Sequence, residues 1–290
     1  MKEEIIYGVA DHLFSIDTPD REVTSDILFN YKPFLVENNS DNDFLFSLKG
    51  NGKIRIPNAP SDDALEWNGV DYNVYHSPEG MIISMRQGDE EHRFFASPDW
   101  KEVVSDLTFT NEREAVFLNS FLRLAFGMAS ILKYRTIKIH ASVTELNGKA
   151  LVFLGKSGTG KSTHSRLWRE FVPGCTLLND DEPLIRLFEN EPVRVYGAPW
   201  SGSTTCYRNE SAEVAAFVHL YQSPDNNLTK LKNVEALSSL YASAAMLRSD
   251  IGNRNRVLDI VTEILQRVPV YRLDCRPDYE AVSLTRSLLS

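Results

Sequence analysis

The feature that most constrains this 290-residue chain is a glycine-rich stretch that directly follows an unbroken apolar run. Residues 150–154 read Ala-Leu-Val-Phe-Leu, and residues 155–162 read Gly-Lys-Ser-Gly-Thr-Gly-Lys-Ser. This stretch fills every fixed position of the phosphate-loop pattern G-x-x-x-x-G-K-[ST]. The glycines let the backbone curl so that successive N–H groups point at phosphate oxygens, which a Cβ would obstruct. We predict a nucleotide-phosphate site between a buried strand and a helix over 162–171.

The two residues that close the pattern supply its chemistry. Lys161 brings a positive charge to the terminal phosphates, and the Ser162 hydroxyl can ligate the accompanying Mg²⁺. A glycine-rich turn without a ligand is the alternative, and the flanking strand and helix argue against it. The predicted contacts to ATP or GTP come from Gly155, Lys156, Ser157, Gly158, Thr159, Gly160, Lys161, Ser162 and Thr163.

A cluster of acids follows the next apolar run. Thr176-Leu-Leu-Asn leads into Asp180, Asp181 and Glu182, one predicted helix after the loop. We predict a parallel strand over 176–178 that emerges beside the loop, where ligands of such sheets bind. One carboxylate can hold Mg²⁺ while its neighbour takes the proton from an attacking hydroxyl. We assign Asp180 as base and Asp181 as metal ligand and leave their order open, as we do the alternative of a solvated acidic turn.

A histidine precedes the loop by fifteen residues. His140 lies in a strand predicted over 136–146, which turns at Asn147-Gly148 into the strand before the loop. Alternation along that strand puts Lys138, His140 and Ser142 on one face. A lone strand histidine is usually structural, so the residues alone do not give His140 a role.

These three motifs together resemble the nucleotide site shared by the catalytic domain of HPr kinase/phosphorylase and by phosphoenolpyruvate carboxykinases. The resemblance is carried by His140-Ala-Ser-Val, by the loop 155–163 and by Leu178-Asn-Asp-Asp-Glu182, and it covers about residues 135–200. It implies Mg²⁺-dependent transfer of the ATP γ-phosphate to a hydroxyl. It also implies that His140 contacts the metal or the reacting group. The catalytic candidates are then Asp180, His140 and Lys161, and the metal-ligand candidates are Ser162, Asp181 and His140.

The resemblance leaves the phosphoacceptor open between a serine of a protein or peptide and a small molecule. Two other functions are weighed against a kinase. One is a nucleotide-binding regulatory or scaffold protein without turnover. The other is a carboxykinase-like enzyme, which the first 135 residues disfavour because they lack a basic motif for oxaloacetate. The loop 197–205 is a candidate for acceptor or nucleotide contacts, with a plain connecting loop as the alternative. Phosphoryl transfer also needs a cation, for which Arg208, Arg254 and Arg256 are candidates against the alternative of ordinary surface arginines.

The order of predicted elements indicates an α/β chain, α+β overall. Residues 1–110 are predicted to be β-rich, with strands over 44–48, 53–56, 72–75, 81–85 and 93–96. A connecting helix is predicted over 111–134, started by Asn111 and Glu114 as a capping box. Residues 135–290 are predicted to form a phosphate-loop domain of HPr kinase/carboxykinase type. Its further strands are expected over 176–178, 184–188, 193–196 and 215–221, and its helices over 234–246, 254–267 and 278–289.

Composition excludes several partners. The net charge of −9 and pI near 5.3, with no run of Lys and Arg, argue against nucleic acid and acidic membranes. The three cysteines form no C-x-x-C pair, so neither a disulfide framework nor a zinc site is expected. The first residues lack a signal-peptide pattern, and the apolar stretch 124–132 is short of a bilayer span. We predict a cytoplasmic protein and leave its oligomeric state open, homo-oligomers included.

Overall fold

A computed structural model of the chain describes residues 3–37, 43–67, 69–247 and 249–289. The chain divides into two compact units, 1–133 and 134–290. Each unit is built on one large sheet that contains both parallel and antiparallel pairs, with helices packed against it. The protein is therefore a mixed α/β chain, consistent with the predicted α+β class.

The first unit is a nine-stranded sheet with the order β3-β1-β2-β4-β9-β8-β7-β6-β5. Four predicted strands lie within β4, β6, β7 and β8, whereas the helix α1 (Arg21–Ile27) was not predicted. The strands are β1 (Glu3–Val9), β2 (His12–Thr18), β3 (Leu35–Val36), β4 (Phe44–Lys49), β5 (Asp63–Trp67), β6 (Val70–Ser77), β7 (Gly80–Gln87), β8 (Glu90–Ala96) and β9 (Glu102–Ser105).

The strand predicted over 53–56 is wrong. These residues belong to the described part of the chain and form no strand. The N–H groups of Asn51 and Gly52 donate to the carbonyls of Leu107 and Ser105, both at 2.8 Å. These bonds anchor the turn at the end of β9, so the chain leaves the sheet and does not return along β4.

A 20-residue helix, α2 (Ala115–Tyr134), follows a single 3₁₀ turn, Glu112–Glu114. The Asn111 side chain caps this turn, but the predicted capping box does not form, because the Glu114 carboxylate accepts from the N–H groups of Thr108 and Phe109 at 3.0 and 2.7 Å. The stretch 124–132 was predicted to be too short to span a bilayer. The helical segment that contains it, Glu112–Lys133, is long and apolar enough to cross a membrane. Because 61% of its apolar window is buried, it also has the character of a core helix.

The second unit is a ten-stranded sheet with four helices. Along its main path the order is β13-β11-β12-β16-β15-β14-β10-β18, while β19 pairs with the second half of β16 and β17 pairs with β19. Of these strands, β17, β18 and β19 were not predicted; the helix predicted over 234–246 ends at Ser243, directly before β18. The strands are β10 (Thr136–Ile139), β11 (Ala141–Leu146), β12 (Lys149–Leu154), β13 (Thr176–Asp181), β14 (Leu184–Arg186), β15 (Arg194–Tyr196), β16 (Ser211–Gln222), β17 (Asn227–Lys230), β18 (Ala244–Ala245) and β19 (Val270–Cys275). The helices are α3 (Lys161–Phe171), α4 (Asn233–Ser243), α5 (Ile251–Arg267) and α6 (Tyr279–Arg286).

The hairpin of β11 and β12 delivers the chain to the phosphate loop, as predicted. Asn147 and Gly148 turn it with φ angles of 53° and 81°, the left-handed conformation that two-residue hairpin turns require. On one face of the sheet, α3 and α6 pack over an apolar cluster that includes Phe153 and Trp168, both fully buried. This packing fixes the start of α3 against the end of β12.

The single strand predicted over 136–146 is wrong, because the chain breaks at His140. β10 pairs with β14 and β18, whereas β11 pairs with β12 and β13, so four strands lie between β10 and β11 in the sheet order. The N–H of His140 donates instead to the carbonyl of Ser243 at 2.7 Å. His140 is therefore a one-residue corner between two strands of the same sheet.

Candidate functional site

The candidate site lies where β12 and β13 end and β11 begins. The prediction that β13 lies directly beside the strand before the loop is wrong. β11 lies between β12 and β13 and is antiparallel to both. β12 and β13 consequently point the same way and end at one edge of the sheet. That edge holds the phosphate loop 155–162, the acids at the end of β13, and His140.

The loop has the backbone that its glycines predict. Gly155, Gly158 and Gly160 have φ angles of 146°, 81° and 102°, in the region that other residues rarely adopt. A Cβ at Gly155 would lie 2.5 Å from the Thr159 hydroxyl oxygen, whereas at Gly158 and Gly160 no described heavy atom lies within 4 Å. The loop is thus closely packed at Gly155 and has free space around Gly158 and Gly160. α3 begins directly after this space, and the N-terminal N–H groups of a helix can bind an anion.

Lys161 begins α3 and folds back over the loop. Its Nζ donates to the carbonyls of Gly155 at 2.8 Å and Lys156 at 3.3 Å. Burial lowers the pKa of Lys161 from its usual value, and the carboxylates of Asp180 and Asp181 act in the opposite direction. The ammonium group is therefore held between backbone oxygens and two acids at the mouth of the loop.

Asp180 connects the acidic strand end to the loop. The Ser162 hydroxyl donates to its Oδ1 at 2.9 Å, and the backbone N–H of Thr204 donates to its Oδ2 at 3.3 Å. Asp180 is buried. A hydroxyl and a carboxylate side by side are the oxygen donors that Mg²⁺ prefers when it also binds substrate phosphates, so these residues fit that ion.

Asp181 faces the corner at His140. Its Oδ1 lies 3.5 Å from the His140 Nδ1, and the histidine side chain is about one-third exposed. Across the described ranges, no group of three or more His, Cys, Asp or Glu side chains is arranged as a metal site.

The third acid of the triplet has a different partner, which the sequence analysis missed. Glu182 accepts from Lys138 Nζ at 2.7 Å, and both side chains are buried. The Trp200 ring lies against the same ammonium group, with its centroid 5.3 Å from Nζ. The signal in the sequence was a lysine within the apolar run 136–141, for which burial requires an opposite charge nearby.

The loop 197–205, an expected ligand contact, packs against β13. Gly202 N–H donates to the Asp180 carbonyl at 2.5 Å, and the Asn179 side chain donates to the Trp200 carbonyl at 2.9 Å. A Cβ on Gly202 would lie 2.8 Å from that Asp180 oxygen. This loop therefore supports the backbone of the acidic strand end directly.

Of the three candidate arginines, Arg208 lies away from the acids. The Arg208 guanidinium donates to the Thr176 hydroxyl at 2.8 Å and the Leu177 carbonyl at 2.7 Å, at the start of β13. The acids lie at the other end of that strand. Arg254 and Arg256 are exposed on the first turns of α5.

α3 carries a buried histidine, His164, on the side that packs toward α6. His164 is 3% exposed, lies edge-on to the Phe153 ring at 4.7 Å, and places Nε2 3.4 Å from the Thr285 hydroxyl. Burial lowers the pKa of His164 to about 4, an effect that the charge of Asp278 partly opposes. The folded protein thus favours the neutral imidazole.

We expect this burial to make the fold less stable in mild acid. The unfolded chain binds the proton first, so the stability from neutral His164 is complete above pH of about 6.5 and is lost progressively down to about pH 4. The total loss is roughly 3 kcal/mol. Urea unfolding at a series of pH values measures it. His164→Gln should flatten this limb, and an unchanged limb in that variant would assign the pH dependence to other groups.

Comparison with known proteins gives little to add to this geometry. No family model and no curated protein matches the chain. Among solved structures, the chain is similar to the Hpr(Ser) kinase/phosphatase from Coxiella burnetii, with 14% sequence identity over 52% of this chain and 87% of that one. The TM-score is 0.33. A similarity this low does not indicate a shared activity, so a function has to be inferred from the site itself.

Proposed function

We propose that this protein is a Mg²⁺-dependent phosphotransferase that moves the γ-phosphate of ATP to a hydroxyl group. The observation that carries the proposal is the hydrogen bond between Ser162 of the phosphate loop and the buried Asp180 of β13. It joins the predicted phosphate-binding residues to the predicted acids at one edge of the sheet. Phosphoryl transfer needs positioning and charge stabilisation more than covalent help from the protein, which suits such a site.

In the proposed reaction, the backbone N–H groups of the loop hold the phosphates and Lys161 turns from the loop carbonyls to the terminal phosphate. The acceptor oxygen forms a bond to the γ-phosphorus, the bond from that phosphorus to the β,γ-bridging oxygen breaks, and ADP leaves. The acceptor proton passes to a carboxylate of the site. Ser162 and Asp180 would hold Mg²⁺, which would supply positive charge to offset the charge that develops on the phosphate oxygens.

The contacts favour one order for the two acids. Asp180 is hydrogen-bonded to Ser162, so we place it with Ser162 on the metal side. Asp181 lies beside His140, so we assign it as the base and His140 as the residue that orients it toward the acceptor. This order is the reverse of the one assigned from the sequence, which had no means of telling the two neighbours apart.

We expect Asp180→Asn and Asp181→Asn to change the kinetics in different ways. Asp181→Asn removes the base and should lower the maximal rate of ADP release by about 10²-fold or more with a near-normal Mg²⁺ requirement. Asp180→Asn removes the metal-side carboxylate and should raise the Mg²⁺ concentration needed for half-maximal rate. The measurement is ADP release from ATP at varied Mg²⁺, with water as acceptor and with serine-containing peptides added.

Asp259→Asn is the matched control, because Asp259 is exposed on α5 and lies outside the candidate site. Parental kinetics in both site variants would remove the acids from the mechanism. Tight ATP binding by the parent protein without any ADP release would favour the regulatory alternative over a kinase.

A further inference from the structure

A cleft with a volume of about 380 Å³ lies beside the phosphate loop, and its walls outside the loop come from residues that the mechanism above does not use. Its walls come from three segments that are far apart in the sequence. They are the loop with the start of α3 (158–164), the end of β16 (220–223), and the residues after β19 (275–277). This volume lies within the range of pockets that bind small molecules.

Topology gives the cleft its place. β12, β16 and β19 are mutually parallel, so all three end at the edge of the sheet where the phosphate loop lies. α3 and α6 pack over the same face, which leaves the cleft between the start of α3 and the chain that leads from β19 into α6. Ligands of such sheets bind outside the carboxyl ends of the strands. A ligand with phosphates on the loop can therefore extend over β16 and β19 into the cleft.

The walls suit an uncharged, flat group. Leu220 and Pro277 are apolar, and Gln222 adds a side-chain amide whose Nε2 donates to the Gly158 carbonyl at 3.2 Å. The Arg276 guanidinium is neutralised, because it donates to Asp278 at 2.9 Å and Glu280 at 3.2 Å. The cleft consequently offers apolar and amide surface and little net charge, which is poor for a further phosphate and good for a heteroaromatic base.

We propose that this cleft binds the nucleoside part, a purine base with its ribose, of the nucleotide whose phosphates lie on residues 155–162. The inference rests on the proposed function, because it needs phosphates on the loop. It adds that Gln222, Ser223 and the segment 275–277 recognise the nucleoside, a role that no motif in the sequence indicates. The phosphate and nucleoside contacts then belong to separable parts of the site.

The test is to fill the cleft and compare a nucleotide with a phosphate chain that has no nucleoside. Ser223→Trp and Pro277→Trp place an indole at two different walls of the cleft. Binding of ADP and of inorganic tripolyphosphate, each with Mg²⁺, is measured by calorimetry. We expect each variant to weaken ADP binding by about 10-fold or more, while tripolyphosphate binding stays within about 2-fold of the parent.

Asp225→Trp is the control, because Asp225 is exposed in the same turn as Ser223 and does not line the cleft. Parental ADP binding in both cleft variants would overturn the inference, as would an equal loss of ADP and tripolyphosphate. If the parent protein bound no tripolyphosphate and no ADP, the proposed function would fail and the nucleoside site with it. Tripolyphosphate binding by the parent supports the loop assignment whatever the cleft variants do.

Discussion

We expect Lys161→Ala to reduce ADP release by about 10²-fold or more, the largest effect of any single change in the loop. The reason is that the variant loses the cation that offsets charge on the terminal phosphate, and such a loss typically costs 10²–10³-fold. The fold should survive, because Lys161 Nζ donates to the carbonyls of Gly155 and Lys156, which water can satisfy in the variant. ADP release at saturating Mg²⁺ and the urea midpoint measure the two effects separately.

Lys149→Ala provides the comparison, because Lys149 is exposed at the opposite end of β12. It should behave like the parent protein in both measurements. A Lys161→Ala protein that turned over ATP at the parental rate would show that the loop does not bind phosphate in the way proposed.

We expect Lys138→Met to destabilise the second unit by about 3–5 kcal/mol. The variant leaves the buried Glu182 carboxylate without the ammonium group that now lies 2.7 Å away. The double variant Lys138→Met/Glu182→Leu should regain most of that stability, because replacing both members of a buried pair by apolar groups removes the uncompensated charge. Urea unfolding of the parent, single and double variants measures the cycle.

A single variant that lost less than about 1 kcal/mol would mean that the pair is solvated and contributes little. A double variant as unstable as the single one would mean that packing around Trp200, and not charge, accounts for the loss. ADP release by the stable double variant then tells whether the pair also aligns His140 and Asp181, its sequence neighbours.

Local patterns in the sequence predicted the parts of the second unit that depend on neighbours along the chain. The hairpin turn at Asn147-Gly148, the positive φ angles of the loop and the start of α3 all follow from residues within a few positions of one another. The helix α5 and the strand β16 were also predicted from local patterns, but both begin three or four residues earlier than predicted. The predicted nucleotide and metal roles of the loop residues stay predictions.

What the sequence could not give depends on partners far along the chain. The break at His140 arises because β10 pairs with β14 and β18, and nothing within 136–146 specifies those partners. Lys138 and Glu182 are 44 positions apart. Strand alternation placed Lys138 on one face of the sheet but could not identify Glu182 as its partner. The cleft beside the loop needs β19, a strand that the sequence analysis did not predict.

The one-residue corner at His140 limits the shape that the sheet of the second unit can take. In a flat sheet, the four strands between β10 and β11 would hold these two about 24 Å apart. The single residue that joins them can span only about 7 Å between flanking Cα atoms. The sheet must therefore roll until its two distant strands meet at His140. His140 lies beside Asp181 because Asp181 pairs with Ala141 in the ladder of β11 and β13, so the candidate site depends on pairing between segments about 40 positions apart and has no precursor within either segment.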